Sequence, residues 1–206
     1  MRVSFKRWIS VVMLAGLAVA GCGPTQAGSA AVVGEQRLTD AQLAQTTSEL
    51  STALGIPESP QVTQAVLSRW MVSQLVSQLA ASANVTVTKG EVDRLLAKEA
   101  KRAGGQQALE QSALQAGLLP NMIPDAVRTT LLIETLSKSV ANAQDPTGQS
   151  GLVALVQQFA NNADPQVSPR YGTWDAQQLS VGALPDDLST PVITNPGLDQ
   201  LPQMPQ

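Results

Sequence analysis

Apolar residues recur at the three- and four-residue spacing of helices along most of the chain, in six stretches parted by breaks that, with one β-branched exception, contain Gly or Pro. Thr39 is a good N-cap for the first stretch, which carries Leu43, Leu50 and Leu54 and is stopped by Gly55 and Pro57. Ser59 as N-cap, with Pro60 at the first helical position, opens the second. Its Leu67, Met71, Leu75 and Leu79 recur every fourth residue, and Val62, Val66, Trp70 and Val76 widen the stripe. This helix is the expected spine of the core. Val85-Thr86-Val87 breaks the pattern, and Thr88 with Glu91 forms a capping box for a third helix with Val92, Leu95 and Leu96 on its inner face, ended by Gly104-Gly105. A modest helix over residues 106–116 carries Leu109, Ala113 and Leu114 and is closed by Gly117 and Pro120. A long one from Ile123 or Pro124 to about Asn142, with Val127, Leu131, Leu132, Leu136 and Val140, is the expected second spine. After Asp145-Pro146-Thr147-Gly148 comes a last apolar helix with Leu152, Leu155, Val156 and Phe159. The pattern predicts a mainly α protein, a single bundle of about six helices.

The two ends differ from this middle. Residues 30–33 are a short apolar run ended by Gly34. Beyond Asp175 the chain turns Pro-, Gln-, Asp- and Leu-rich without periodicity, so residues 176–206 are expected to be a disordered tail. At the other end Arg2, Lys6 and Arg7 precede an apolar run from Trp8 to Ala20, the form of a secretory signal and too short to span a bilayer. That run closes on Val19-Ala20-Gly21-Cys22, which resembles a bacterial lipobox. The resemblance implies a signal peptide over residues 1–21, cleavage between Gly21 and Cys22, and diacylation of Cys22. An ordinary signal peptide with an accidental cysteine after it is the alternative. Residues 22–29 read as a flexible linker, and the ordered domain is expected over residues 30–175.

Composition narrows the chemistry. Cys22 is the one cysteine, so no intramolecular disulfide can form, and there is no histidine for imidazole catalysis or zinc ligation. All sixteen acidic residues follow Cys22 but only ten of the thirteen basic ones do, which leaves the mature chain at a net charge of −6. Its basic cluster, Lys98, Lys101 and Arg102, shares a helix with Glu91, Asp93 and Glu99, a mixed face unsuited to phosphate backbones, so nucleic acid is not an expected partner. No spacing sets a nucleophile beside a base or pairs two carboxylates recognisably, so neither an enzyme, a small-molecule substrate, a metal nor a cofactor is expected.

The apolar start, the helix ending Leu-Ala-Ala-Ser-Ala-Asn, the linker Val-Thr-Val-Thr leading into Glu-Val-Asp-Arg-Leu-Leu, the Gly-Gly break and the late Val-Ser-Pro-Arg-Tyr-Gly-Thr-Trp-Asp stand in that order. Together they resemble the N-terminal chaperone domain of the SurA/PrsA family, as found in actinobacterial lipoproteins. The match departs from the family at Val33-Gly34-Glu35, where members commonly carry an Asn before the Gly. The resemblance implies a helical bundle whose first segment returns to pair with the late one, here residues 31–33 with part of residues 167–174 in a short two-stranded pairing. Relatives often add a parvulin-type isomerase domain with catalytic histidines, and a chain without histidine is not expected to isomerise prolines. The expected function is a membrane-tethered, non-catalytic holdase at the extracytoplasmic face, binding unfolded or newly exported polypeptides in an apolar groove. Met71, Leu118, Leu119, Met122 and Ile123 are candidate groove residues, with plain core packing the alternative for each. Arg170, Tyr171 and Trp174 are expected to close the domain, Arg170 on a carboxylate such as Asp175 or on backbone carbonyls, and Trp70 to clamp with them; peptide stacking is the alternative. A second reading is an adaptor lipoprotein that recognises one folded cell-envelope partner, with the acidic Pro-rich tail as docking segment.

Overall fold

Local chemistry places the helix starts where the sequence marks them. In the computed structural model, which describes residues 27–182 and 184, Thr39 and Thr88 each accept a hydrogen bond from the N–H three residues on, and Gln42 and Glu91 reach back to complete capping boxes. Ser59 caps in the same way from Val62 N–H, with Pro60 next. The helices run Asp40–Leu54 (α1), Pro60–Ser82 (α2), Lys89–Ala103 (α3), Gln106–Gln115 (α4), Ile123–Val140 (α5) and Gln149–Ala163 (α6). The protein is mainly α, as the periodicity predicts.

α2 is the spine. It packs against α1, α5, α6 and the strands at both ends of the domain, and its Leu67, Met71 and Leu75 are wholly buried. Each such side chain contributes about 1.5–3 kcal/mol of burial. α5 adds Leu132 and Leu136 from one side, α1 adds Leu43 and Leu50 from another, and α6 adds Leu152 and Val156. α3 and α4 pack mainly on one another, with α5 and α1 as their further supports.

The strands join the two ends. Ser29–Val33 (β1) pairs antiparallel with Gln36–Thr39 (β2) and, along its other edge, with Gln166–Val167 (β3), setting Ala31 opposite Val167. The returning segment therefore lies where the resemblance implies, but the sheet has three strands in the order β2-β1-β3. β2 carries no apolar pattern to mark it, since three of its four residues are polar and none is buried. Its signal was Gly34-Glu35, a two-residue turn with Gly34 at φ +57° that folds Val33 back onto Gln36. Gln78 of α2 donates to the Val33 carbonyl at 2.7 Å and ties the hairpin to the spine.

A second correction concerns where the domain ends. Trp174–Asp175 (β4) pairs with Ser180–Val181 (β5), and Val181 is buried against α2. Residues 176–182 thus belong to the fold and not to the tail. Cys22, Gly21, the signal segment and the part of the expected tail from residue 185 to residue 206 lie outside the described residues.

Candidate functional site

α2 carries one charged residue, Arg69, in its 23 positions. A helix so poor in charge is covered by other elements or borders an apolar concavity, and both occur here. Its stripe of Leu67, Met71 and Leu75 is core. Another side borders two adjoining clefts. The first, about 680 Å³, lies between α2 and the start of α5, bounded by Trp70, Val72, Ser73 and Ser77 and by Leu118, Met122, Asp125 and Thr129. The second, about 730 Å³, lies among α2, α5 and α6, bounded by Val72, Val76, Ile133, Leu152, Val153 and Val156. Val72 and Leu179 line both, so the two form one groove narrowed at that point.

The groove leaves aliphatic carbon open to water. Ile133 is 36% exposed and Val153 48%, the latter on α6 across from α5. At the narrowing, Leu179 sits in the β4–β5 turn with φ +50°, a left-handed conformation that costs a leucine about 1–2 kcal/mol. The turn is held by the Asp175 carboxylate, which accepts from Gln177 N–H at 2.8 Å and Gln178 N–H at 3.1 Å, and by Gln157, which donates to the Gln177 carbonyl at 2.6 Å. Packing of the Leu179 side chain against the core offsets the strain.

Two guanidiniums give the first cleft its charge. Arg69 donates to the carbonyls of Gly117 and Ala116, and burial pushes its guanidinium below the ordinary arginine range. Arg128 donates to the Val87 carbonyl at 2.8 Å. Both line the cleft, and among the described residues neither has a carboxylate partner. Ser73 and Thr129 meet across the cleft at 3.0 Å and satisfy each other.

The sequence-predicted groove residues divide. Leu118 and Met122, four apart, line the first cleft, half-buried. Met71, at 0% exposure, Leu119 at 7% and Ile123 at 5% are core residues and do not line the groove. Met71 belongs to the every-fourth-residue stripe that faces inward. Leu119 and Ile123 flank the turn Pro120–Met122 on its inner side, so only half of that Pro- and Gly-bounded connection is open. Trp70 lines the first cleft, as does Leu179 of the terminal segment. Sequence reasoning missed Val72, Ile133, Val153 and Leu179. The available signal was the scarcity of charge on α2.

Arg170, Tyr171 and Trp174 lie together at the junction of the two chain ends. The Tyr171 hydroxyl donates to Asp40 Oδ1 at 3.0 Å and Arg170 reaches Asp40 Oδ2 at 3.4 Å, so the carboxylate that receives Arg170 opens α1 and is not Asp175. Gln64 of α2 donates to the carbonyls of Tyr171 at 3.0 Å and Gly182 at 2.9 Å. Trp174 pairs with Val181. Burial first, and the Asp40 carboxylate second, raise the Tyr171 hydroxyl above the ordinary phenol range.

Among the described residues no cluster of acidic, Cys or His side chains could hold a metal, and no helix is long and apolar enough to cross a membrane. No protein-family model, no curated protein and no solved structure matches this chain.

Proposed function

We propose that this chain is a membrane-tethered, non-catalytic holdase that takes unfolded or newly exported polypeptide into the groove along α2. The groove itself supports the reading: Trp70, Val72, Met122, Ile133 and Val153 offer apolar contacts in two adjoining clefts. Such a surface holds many sequences weakly, because methionine and aliphatic side chains adapt to varied shapes and no single pocket dictates a residue. The resemblance to the SurA/PrsA N-terminal domain points the same way. Acyl chains on Cys22 would hold the domain at the extracytoplasmic face of the membrane, each buried methylene contributing about 0.8 kcal/mol.

The test is suppression of aggregation of an unfolded secreted protein, by the chain both whole and ended at Leu184. Stoichiometric protection is expected, weakened by Ile133→Asp with Val153→Asp, two exposed positions where the change leaves the fold intact. No protection by either chain at molar excess overturns the reading. For the anchor, Cys22→Ala is expected to abolish lipid labelling and release the protein from membranes; wild-type protein found unlipidated in the medium overturns that part.

A further inference from the structure

The first cleft carries an asymmetry of charge that a general peptide groove does not need. Arg69 and Arg128 face it bonded only to neutral carbonyls, against the single carboxylate of Asp125, in a protein whose mature chain is net acidic. A cleft with apolar walls and uncompensated guanidiniums suits an apolar segment that carries an acidic side chain. The chain contains one beyond the described residues. Residues 183–206 hold three Asp and no Lys or Arg, and within them Leu198, Leu201 and Met204 fall at intervals of three beside Asp199.

We propose that residues 198–204 occupy the cleft between α2 and α5 of the same molecule, with Asp199 against Arg69 and Arg128, and compete there with client. The proposal rests on the groove being the client site only for its second half, the competition. The chain is long enough. Gly182 is bonded to Gln64, and from Gln64 to Ser73 along α2 is about 14 Å at roughly 1.5 Å per residue. The fourteen residues from Leu184 to Leu198 reach about 46 Å when extended. The C-terminal hairpin already shows the tendency, since its Leu179 lies at the narrowing of the groove. Tethering gives an effective concentration on the order of 1 mM, so a segment with an intrinsic Kd of about 0.1 mM would fill the cleft in roughly nine molecules of ten and weaken a competing client about tenfold.

The indole N–H resonance of Trp70, which lines the cleft, reports occupancy, with that of Trp174 as the control. It is compared in two chains that start at residue 23, one ending at Gln206 and one at Leu184. Both retain every described core residue. The Trp70 resonance is expected to differ between them, and a synthetic peptide of residues 195–206 added at millimolar concentration to the shorter chain is expected to restore the position found in the longer one. Asp199→Arg, which lies in the tail and leaves the fold untouched, should abolish the difference, and Arg128→Glu in the same chain should bring it back. Superimposable Trp70 resonances in the long and short chains overturn the proposal. So does a shift that grows with protein concentration, which would seat the tail of a second copy. Client affinity is read separately. A shorter chain that binds an unfolded peptide about tenfold more tightly supports competition, whereas an occupied cleft with unchanged client affinity overturns competition alone. Absence of client binding in both chains would fail the holdase reading and leave the occupancy result standing.

Discussion

At the scale of single residues, the contact of Tyr171 with Asp40 responds to alkaline pH. The fold holds the phenol protonated more firmly than the unfolded chain does. Its contribution is therefore whole below the ordinary tyrosine pKa of about 10 and is lost as pH rises through the raised native value. Tyr171→Phe is expected to lower stability at pH 8 by about 0.5–1.5 kcal/mol, the net worth of one hydrogen bond. The gap to wild type should narrow above pH 10. Urea unfolding at pH 8 and pH 11 checks both statements, and a gap that stays constant across that range would show the hydroxyl is not the cause. Gly148 is the residue with least freedom to change. It sits at φ +68° at the start of α6, and a Cβ there would overlap the Ser137 carbonyl oxygen of α5. Gly148→Ala combines left-handed strain with a backbone clash and should cost more than about 2 kcal/mol in thermal or urea unfolding.

At the scale of elements, the stripes and the caps can be tested against each other. Leu75→Ala removes a wholly buried side chain at the middle of α2 and is expected to destabilise by about 2–5 kcal/mol. Thr88→Ala removes the hydroxyl that accepts from Glu91 N–H, the side-chain half of a capping box at an exposed helix start, and should cost about 1 kcal/mol. If the cap change proved the larger, the view of α2 as spine would be wrong. These same elements explain what could be read from the chain. Thr39, Ser59 and Thr88 act on N–H groups three residues away, so a few residues of sequence suffice to locate them. β3 and β5 are two residues each, and their partners β1 and β4 impose the pairing through geometry that no local pattern carries. Only the order of segments along the chain points to β3, and no local pattern sets β5 apart from the Pro-rich residues after it. The groove was hidden for a third reason. Whether Val72 or Ile133 is covered depends on how far α5 and α6 stand from α2, and an apolar position reads alike on either side of that outcome. Met71 shows the converse, since its stripe already placed it inside and only its chemistry suggested a surface.

At the scale of the whole molecule, the fold depends on its last described strand more than the composition of that region suggests. Val181 N–H donates to Ser68 Oγ at 2.8 Å, Val181 itself is 6% exposed, and the Gly182 carbonyl accepts from Gln64. Gly172, at φ +127°, packs so near the Gly182 carbonyl that a Cβ there would overlap it. A chain ended at Asp175, where the change in composition begins, would lose this strand, uncover the side of α2 near Ser68, and remove one of the two carbonyls that Gln64 holds. Loss of the valine burial alone is about 1.5–3 kcal/mol, and the hydrogen bonds left without partners add about 1 kcal/mol each. The expected result is a loss of about 1.4 kcal/mol for the chain ended at Leu184, the linkage worth of a tail that fills its cleft in roughly nine molecules of ten, and a further destabilisation of at least about 3 kcal/mol for the chain ended at Asp175. Paired urea titrations of the two truncations and the full chain measure this directly. Equal stability of all three would mean that β4 and β5 rest on a body complete without them, and the closure of the domain would then have to be carried by β3 and the Tyr171–Asp40 contact alone.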